Sequence, residues 1–157
     1  PMHATSLAAR MGRDDMARKW GAPIRRRGIN AEKWPQWKTT WSIVDKALAY
    51  GGQDRIDFRK LFSGSYDGAC RGFAGDISVK LRISGGTVTD VSIRRHSESR
   101  PYSALEIIPK RIVKHQSIRV DAISGATVSS DAIVGATIEA LMKASGKGTE
   151  RQRSAGN

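Results

Sequence analysis

Between residues 77 and 84 the chain alternates without a break. Ile77, Val79, Leu81 and Ile83 are apolar; Ser78, Lys80, Arg82 and Ser84 are polar. A period of two means a strand with one buried face, and no helix can satisfy it. Gly85-Gly86 then supplies the residues of a tight hairpin turn. Val88, Val91 and Ile93 continue as a second strand, with Thr89-Asp90 as an irregularity in the period. Upstream, Tyr66 to Phe73 reads as a glycine-punctuated first strand, turning at Gly75-Asp76. An antiparallel hairpin or meander follows directly.

The period changes after the strands. Leu105, Ile108 and Ile112 share a helical face, but Pro109 interrupts it, so two short helices or a kink near Ile108 are expected. Val120-Asp121 reads as a short extended piece. Ile133, Ala136, Thr137, Ala140, Leu141 and Ala144 line one face of a last helix, with Gly146 as its stop. Strands followed by helices predict an α+β domain: a small antiparallel sheet packed with helices.

Charge divides the chain further. Its 157 residues suit one domain with tails. There are 27 basic and 15 acidic residues, a net charge of +12. Residues 1–64 contribute +7, residues 65–144 only +3 and residues 145–157 another +2. The reading is therefore a basic arm over 1–63, a central domain over 64–144, and a disordered basic tail over 145–157. All four tryptophans lie in the arm. Trp34, Trp37, Trp41, Val44 and Leu48 form a narrow apolar stripe on one predicted helix, opened by Pro35 and closed by Gly51-Gly52. Arg25-Arg26-Arg27 reads as an exposed basic turn. Such a stripe packs on the main domain, on a partner subunit or on a membrane surface. Nucleic acid is the weakest partner, because no nucleic-acid fold signature accompanies the Trp and Arg residues.

Several chemistries are excluded. One cysteine permits no intramolecular disulfide. His3, His96 and His115 have no metal-ligand spacing. No dinucleotide or Walker glycine loop is present. No apolar run approaches the roughly 18 residues needed to span a bilayer, and no signal-peptide pattern is visible.

The most informative run is Asp121-Ala122-Ile123-Ser124-Gly125-Ala126-Thr127-Val128-Ser129-Ser130. Thr127 falls at the start of the last helix, where backbone N–H groups and the helix dipole favour a phosphate. Gly125 and Ala126 leave room for close approach. Ser129 and Ser130 can cap the helix or bond an anion. On the residues alone, an ordinary capped helix start is the simpler reading.

The run closely resembles the flavinylation motif of the FMN-binding domain family, which includes a subunit of sodium-translocating NADH:quinone reductase. That pattern is Asp, three residues later Ser or Thr, then Gly-Ala-Thr, commonly followed by Ser or Thr. It is matched at Asp121, Ser124, Gly125, Ala126, Thr127, Ser129 and Ser130. Tyr66-Asp67-Gly68, the Gly72/Gly75 turn, His96-Ser97-Glu98 and the Pro109 helix ending at Gln116-Ser117 match colinearly, over about residues 64–144. Ser99-Arg100-Pro101-Tyr102-Ser103 departs from the Thr-Pro-Gly and glycine-rich turn of many relatives.

The resemblance implies FMN joined by a phosphoester to the hydroxyl of Thr127. A magnesium-dependent flavin transferase would make the bond from FAD. Asp121, Ser124, Gly125 and Ala126 would form its recognition sequence and the phosphate pocket, with Ser129 and Ser130 beside them. His96, Glu98 and Tyr102 are the further cofactor-binding candidates, and Tyr102 either stacks on the flavin or starts its helix. The implied function is electron relay among redox partner subunits of a larger complex. The resemblance favours the extracytoplasmic face of a membrane; without a signal or spanning segment, a cytoplasmic place stays open. The alternative is an assembly or binding subunit that uses the Trp-rich arm, with noncovalent or no FMN.

Overall fold

The computed structural model describes residues 4, 5, 8, 13–26, 41, 57–99 and 102–146, with the backbone alone at 24–26 and 102. Its sheet is a meander of three antiparallel strands, β1 (Gly64–Arg71), β2 (Asp76–Ser84) and β3 (Thr87–Arg95), in the order β1-β2-β3. Two helices follow, α2 (Tyr102–His115) and α3 (Thr127–Ala144). A helix α1 (Asp14–Arg26) and a 3-10 turn (Phe58–Lys60) precede the sheet. The α+β expectation holds.

The alternation of β2 is realised residue by residue. Ile77, Val79, Leu81 and Ile83 are buried, while Arg82 and Ser84 are exposed. Gly85 and Gly86 both have positive φ, 55° and 74°, as a type I′ turn demands. Val88 and Val91 are three apart, which a regular strand would place on opposite faces. The register slips between Arg82 and Ile83, so that Ile83 faces Val88 and Leu81 faces Val91. Thr89 is thus the extra residue of a bulge, as the broken period predicts. A second slip, between Ser78 and Val79, aligns Val79 with Ile93 and was not legible in the sequence.

The apolar face of the sheet is covered by α3 against β1 and β2, and by α2 against β3. Contact between β1 and α3 is backbone on backbone. A Cβ at Gly68 would strike the carbonyl oxygen of Ala136, with the Ala140 nitrogen at 2.8 Å. The last helix is buried on more than the one expected face. Ala132, Val134, Gly135 and Ile138 are buried beside the predicted set. Its small residues let it sit between β1, β2 and α2.

Two expectations need correction. α2 runs through Pro109 as one helix, so the alternative of two short helices falls. Proline removes one helical hydrogen bond, but Ile108, Pro109 and Ile112 are all buried, and burial of that stripe outweighs one bond. The Arg25-Arg26 pair is the last turn of α1 and not a free turn. Asp14 and Asp15 open that helix and the arginines close it, an arrangement its dipole favours. Trp41 is half-buried, and a Cβ added at Gly21 on α1 would lie 3.2 Å from its ring. Trp34, Trp37, Val44, Leu48, Gly51-Gly52, Arg27 and the tail beyond Gly146 lie outside the described residues.

Candidate functional site

The Asp121–Ser130 run is a loop feeding the N-terminus of α3. Asp121 is exposed, and its carbonyl accepts from the Arg111 guanidinium on α2 at 2.7 Å. Ser124 and Gly125 form an exposed turn, closed by Ala126 N–H donating to the Ile123 carbonyl at 2.9 Å. Gly125 needs to be glycine for its backbone, with φ +77°. A Cβ there would meet nothing within 4 Å, so the front of the turn is open.

Thr127 is the first residue of α3 and is half-buried. The N-cap is Ala126, and no side chain caps the helix. The first helical bond comes only at Ser130, whose N–H reaches the Ala126 carbonyl at 2.9 Å. The amides of Thr127, Val128 and Ser129 precede it. They form the positive end of an 18-residue helix.

The expected capping by Ser129 or Ser130 does not occur. Ser130 Oγ accepts from Ile123 N–H at 3.1 Å, which fastens the loop onto the helix. Ser129 Oγ donates to Glu98 Oε2 at 2.6 Å. Both hydroxyls point back into the protein, so neither competes for the first-turn amides.

Glu98 is a buried carboxylate, 5% exposed. Its other oxygen, Oε1, accepts from Ala74 N–H at 3.0 Å in the turn between β1 and β2. It therefore ties that turn to the first turn of α3. Gly72 is required here, because a Cβ would collide with Glu98 Oε1 and lie 2.9 Å from the Gly75 carbonyl. A buried charge needs such donors.

The other two candidates lie elsewhere. His96 is exposed at the end of β3 and lines a groove of about 740 Å³ between β3 and α2, with Val91, Ile93, Leu105, Pro109 and Lys110. No residue of the Asp121–Ser130 run lines that groove. On its rim the Lys110 ammonium, 2.6 Å from Glu106, holds that carboxyl below its ordinary range. Tyr102 opens α2, and its side chain is outside the described residues. Asp121, Ser124, Gly125, Ala126, Thr127, Ser129 and Ser130 thus come together, with Glu98 behind them.

Sequence reading gave no role to Arg111, whose hold on the Asp121 carbonyl depends on how the loop crosses α2. Gln116 was legible only as a helix end, not as a tie between elements. This residue ends α2 at φ 47°, and its side-chain amide pairs with both backbone groups of Val88, each at 2.8 Å. Among the described residues, no cluster of His, Cys, Asp and Glu could hold a metal, and no helix is long and apolar enough to cross a membrane.

Residues 72–142 match the family model of the FMN-binding domain. A protein of Vibrio harveyi named NADH:acrylate oxidoreductase is 36% identical over 120 residues, taking in 71% of this chain and 12% of that protein. A protein of Treponema pallidum (strain Nichols), named as uncharacterized, is 35% identical over 86 residues, 54% of this chain and 24% of its own length. The chain thus spans about an eighth and about a quarter of these relatives. A stretch of 71% is longer than residues 72–157, so the likeness to the Vibrio protein reaches upstream of the family match.

Proposed function

The chain belongs to the FMN-binding domain family through residues 72–142, and from that premise we propose that it is a flavin-carrying electron-transfer subunit with FMN esterified to Thr127. FMN binding rests on the family match. The redox role rests also on the relative named as an oxidoreductase. The observation that carries the attachment is the bare N-terminus of α3, with Thr127 as its first residue and alanine at the N-cap.

These residues fit a phosphate. The first-turn amides and the helix dipole would hold its remaining negative charge. Gly125 leaves the approach open. Ser129 and Ser130 are engaged inward, so they hold the loop in shape and leave the hydroxyl of Thr127 for the bond. In the attachment reaction Thr127 Oγ would give up its proton and take the FMN phosphate from FAD, with AMP as the leaving group. That step belongs to a separate flavin transferase, for which Asp121, Ser124, Gly125 and Ala126 are the recognition sequence. Bound in this way, FMN would supply one- and two-electron chemistry.

The chain matches a small share of its relatives' length. On this reading its own task is relay, between a donor and an acceptor carried by partner subunits or further domains. Mass spectrometry of the chain isolated from a host that holds the transferase tests the attachment. The peptide containing Thr127 should carry FMN, and its yellow fluorescence should survive denaturation. Thr127→Ala should abolish both, with stability changed by less than about 1 kcal/mol. An unmodified Thr127 peptide, with all flavin released on denaturation, would replace covalent attachment by noncovalent binding.

A further inference from the structure

We propose that Phe73 is the apolar wall against which the isoalloxazine of the Thr127-bound flavin packs. The inference rests on the reading of Thr127 as the attachment residue. It adds a ring-binding residue outside the motif.

Three large apolar side chains are exposed among the described residues: Trp20 on α1, and two that flank β1 in sequence. Phe62 is 65% exposed and Phe73 is 57% exposed. They belong to opposite ends of α3. Phe62 lies beside Gly146, 3.6 Å from where a Cβ there would stand, at the C-terminal end. Phe73 sits in the β1–β2 turn, and the next residue, Ala74, donates its N–H to Glu98 Oε1. The same carboxylate accepts from Ser129, two residues after Thr127. One side chain therefore separates the turn of Phe73 from the first turn of α3. The ends of an 18-residue helix are about 27 Å apart, so Phe62 is out of range of any group tethered at Thr127.

The turn that presents Phe73 is held from several sides. Gly72 N–H donates to the Gly75 carbonyl at 2.7 Å. Gly72 packs against Glu98, and Gly75 packs so closely on Ser97 that a Cβ would be 2.8 Å from its side chain. An exposed phenyl ring on a mobile loop would lose conformational freedom on binding a ligand. One on a pinned turn is already placed, so stacking costs little entropy. A flavin ring is a flat, largely apolar surface that loses contact with water when it stacks on an aromatic ring. The open front at Gly125 gives the tether its exit, and Phe73 gives the ring a surface to rest on.

The test uses the full chain, flavinylated in the host, with Phe73→Trp and Phe62→Trp as the variants. Tryptophan stacked on a flavin quenches its fluorescence by electron transfer. Flavin content is measured first, on the denatured chains. With equal flavin content, Phe73→Trp should lower native flavin fluorescence at least about twofold, and Phe62→Trp should leave it unchanged. Phe73→Ala should expose the ring, seen as faster quenching by iodide than in the parent. If flavin is present and the two Trp variants fluoresce alike, the Phe73 assignment is wrong and attachment at Thr127 stands. If the parent chain carries no flavin, the attachment reading falls and this one falls with it.

Discussion

The two ends of α3 are finished differently. At the C-terminal end all four terminal carbonyls are satisfied by the protein. Ser145 N–H reaches Leu141 at 3.0 Å, Ser145 Oγ reaches Met142 at 2.9 Å, Gly146 N–H reaches Lys143 at 3.2 Å, and Phe62 N–H reaches Ala144 at 3.0 Å. At the N-terminal end the cap is alanine, and the hydroxyls of Ser129 and Ser130 are turned away from the first-turn amides. Orphan helix groups are normally met by caps, water or ligands. The closed end needs nothing from outside. The bare end is where an anion has a place, and the residues that could have filled it are used to shape the loop instead.

Gly68→Ala should have the largest effect, because it attacks what holds both ends in position. Its Cβ would collide with the Ala136 carbonyl, which is helix backbone and cannot swing aside. Urea unfolding should show a loss of about 3 kcal/mol or more. A loss well under 1 kcal/mol would mean that α3 can slide on β1, and the fixed placement of its two ends would no longer hold.

Glu98→Ala comes next and should act on one end alone. It leaves Ser129 Oγ and Ala74 N–H without their buried acceptor, at a cost of about 2 kcal/mol. Glu98→Gln should cost less. Its amide can turn its oxygen to Ala74 and offer its NH2 to Ser129. Hydrogen exchange should speed up in the 72–75 turn and the first turn of α3, and stay as it was around Ala144. Equal loosening at both ends would show that Glu98 serves global stability and not the N-terminal site.

How much of this was legible depends on the kind of signal. The period of β2, the Gly85-Gly86 turn, the bulge at Thr89 and the Gly146 stop are local, and each was read from neighbouring residues. The motif was legible through resemblance, because its residues are contiguous. Glu98 was picked out for the same reason, but its partners are 24 and 31 residues away in sequence, so its place as a tie between turn and helix could not be read. The same holds for Arg111 and Gln116, whose partners belong to other elements. Pro109 misled for the opposite reason. A local rule splits or kinks the helix there, and packing of Ile108 and Ile112 keeps it one helix.

The smallest effect is expected at the closed end. Gly146 follows Ser145 with φ +76°, and its N–H meets the Lys143 carbonyl. Gly146→Ala forces an alanine into the left-handed region, at a cost of about 1 kcal/mol. Space is not the obstacle, since the new Cβ would lie 3.6 Å from the Phe62 ring, an ordinary contact. Thermal unfolding should register the loss, while the flavin content of the isolated chain stays at the parent level. That pairing is the strictest form of the contrast. A cap strained at the end that closes on itself should leave cofactor loading untouched, because the proposed attachment lies at the other end. If Gly146→Ala lowered flavin content, the two ends would be coupled through the helix, and the bare N-terminus would lose its claim to be a separate site.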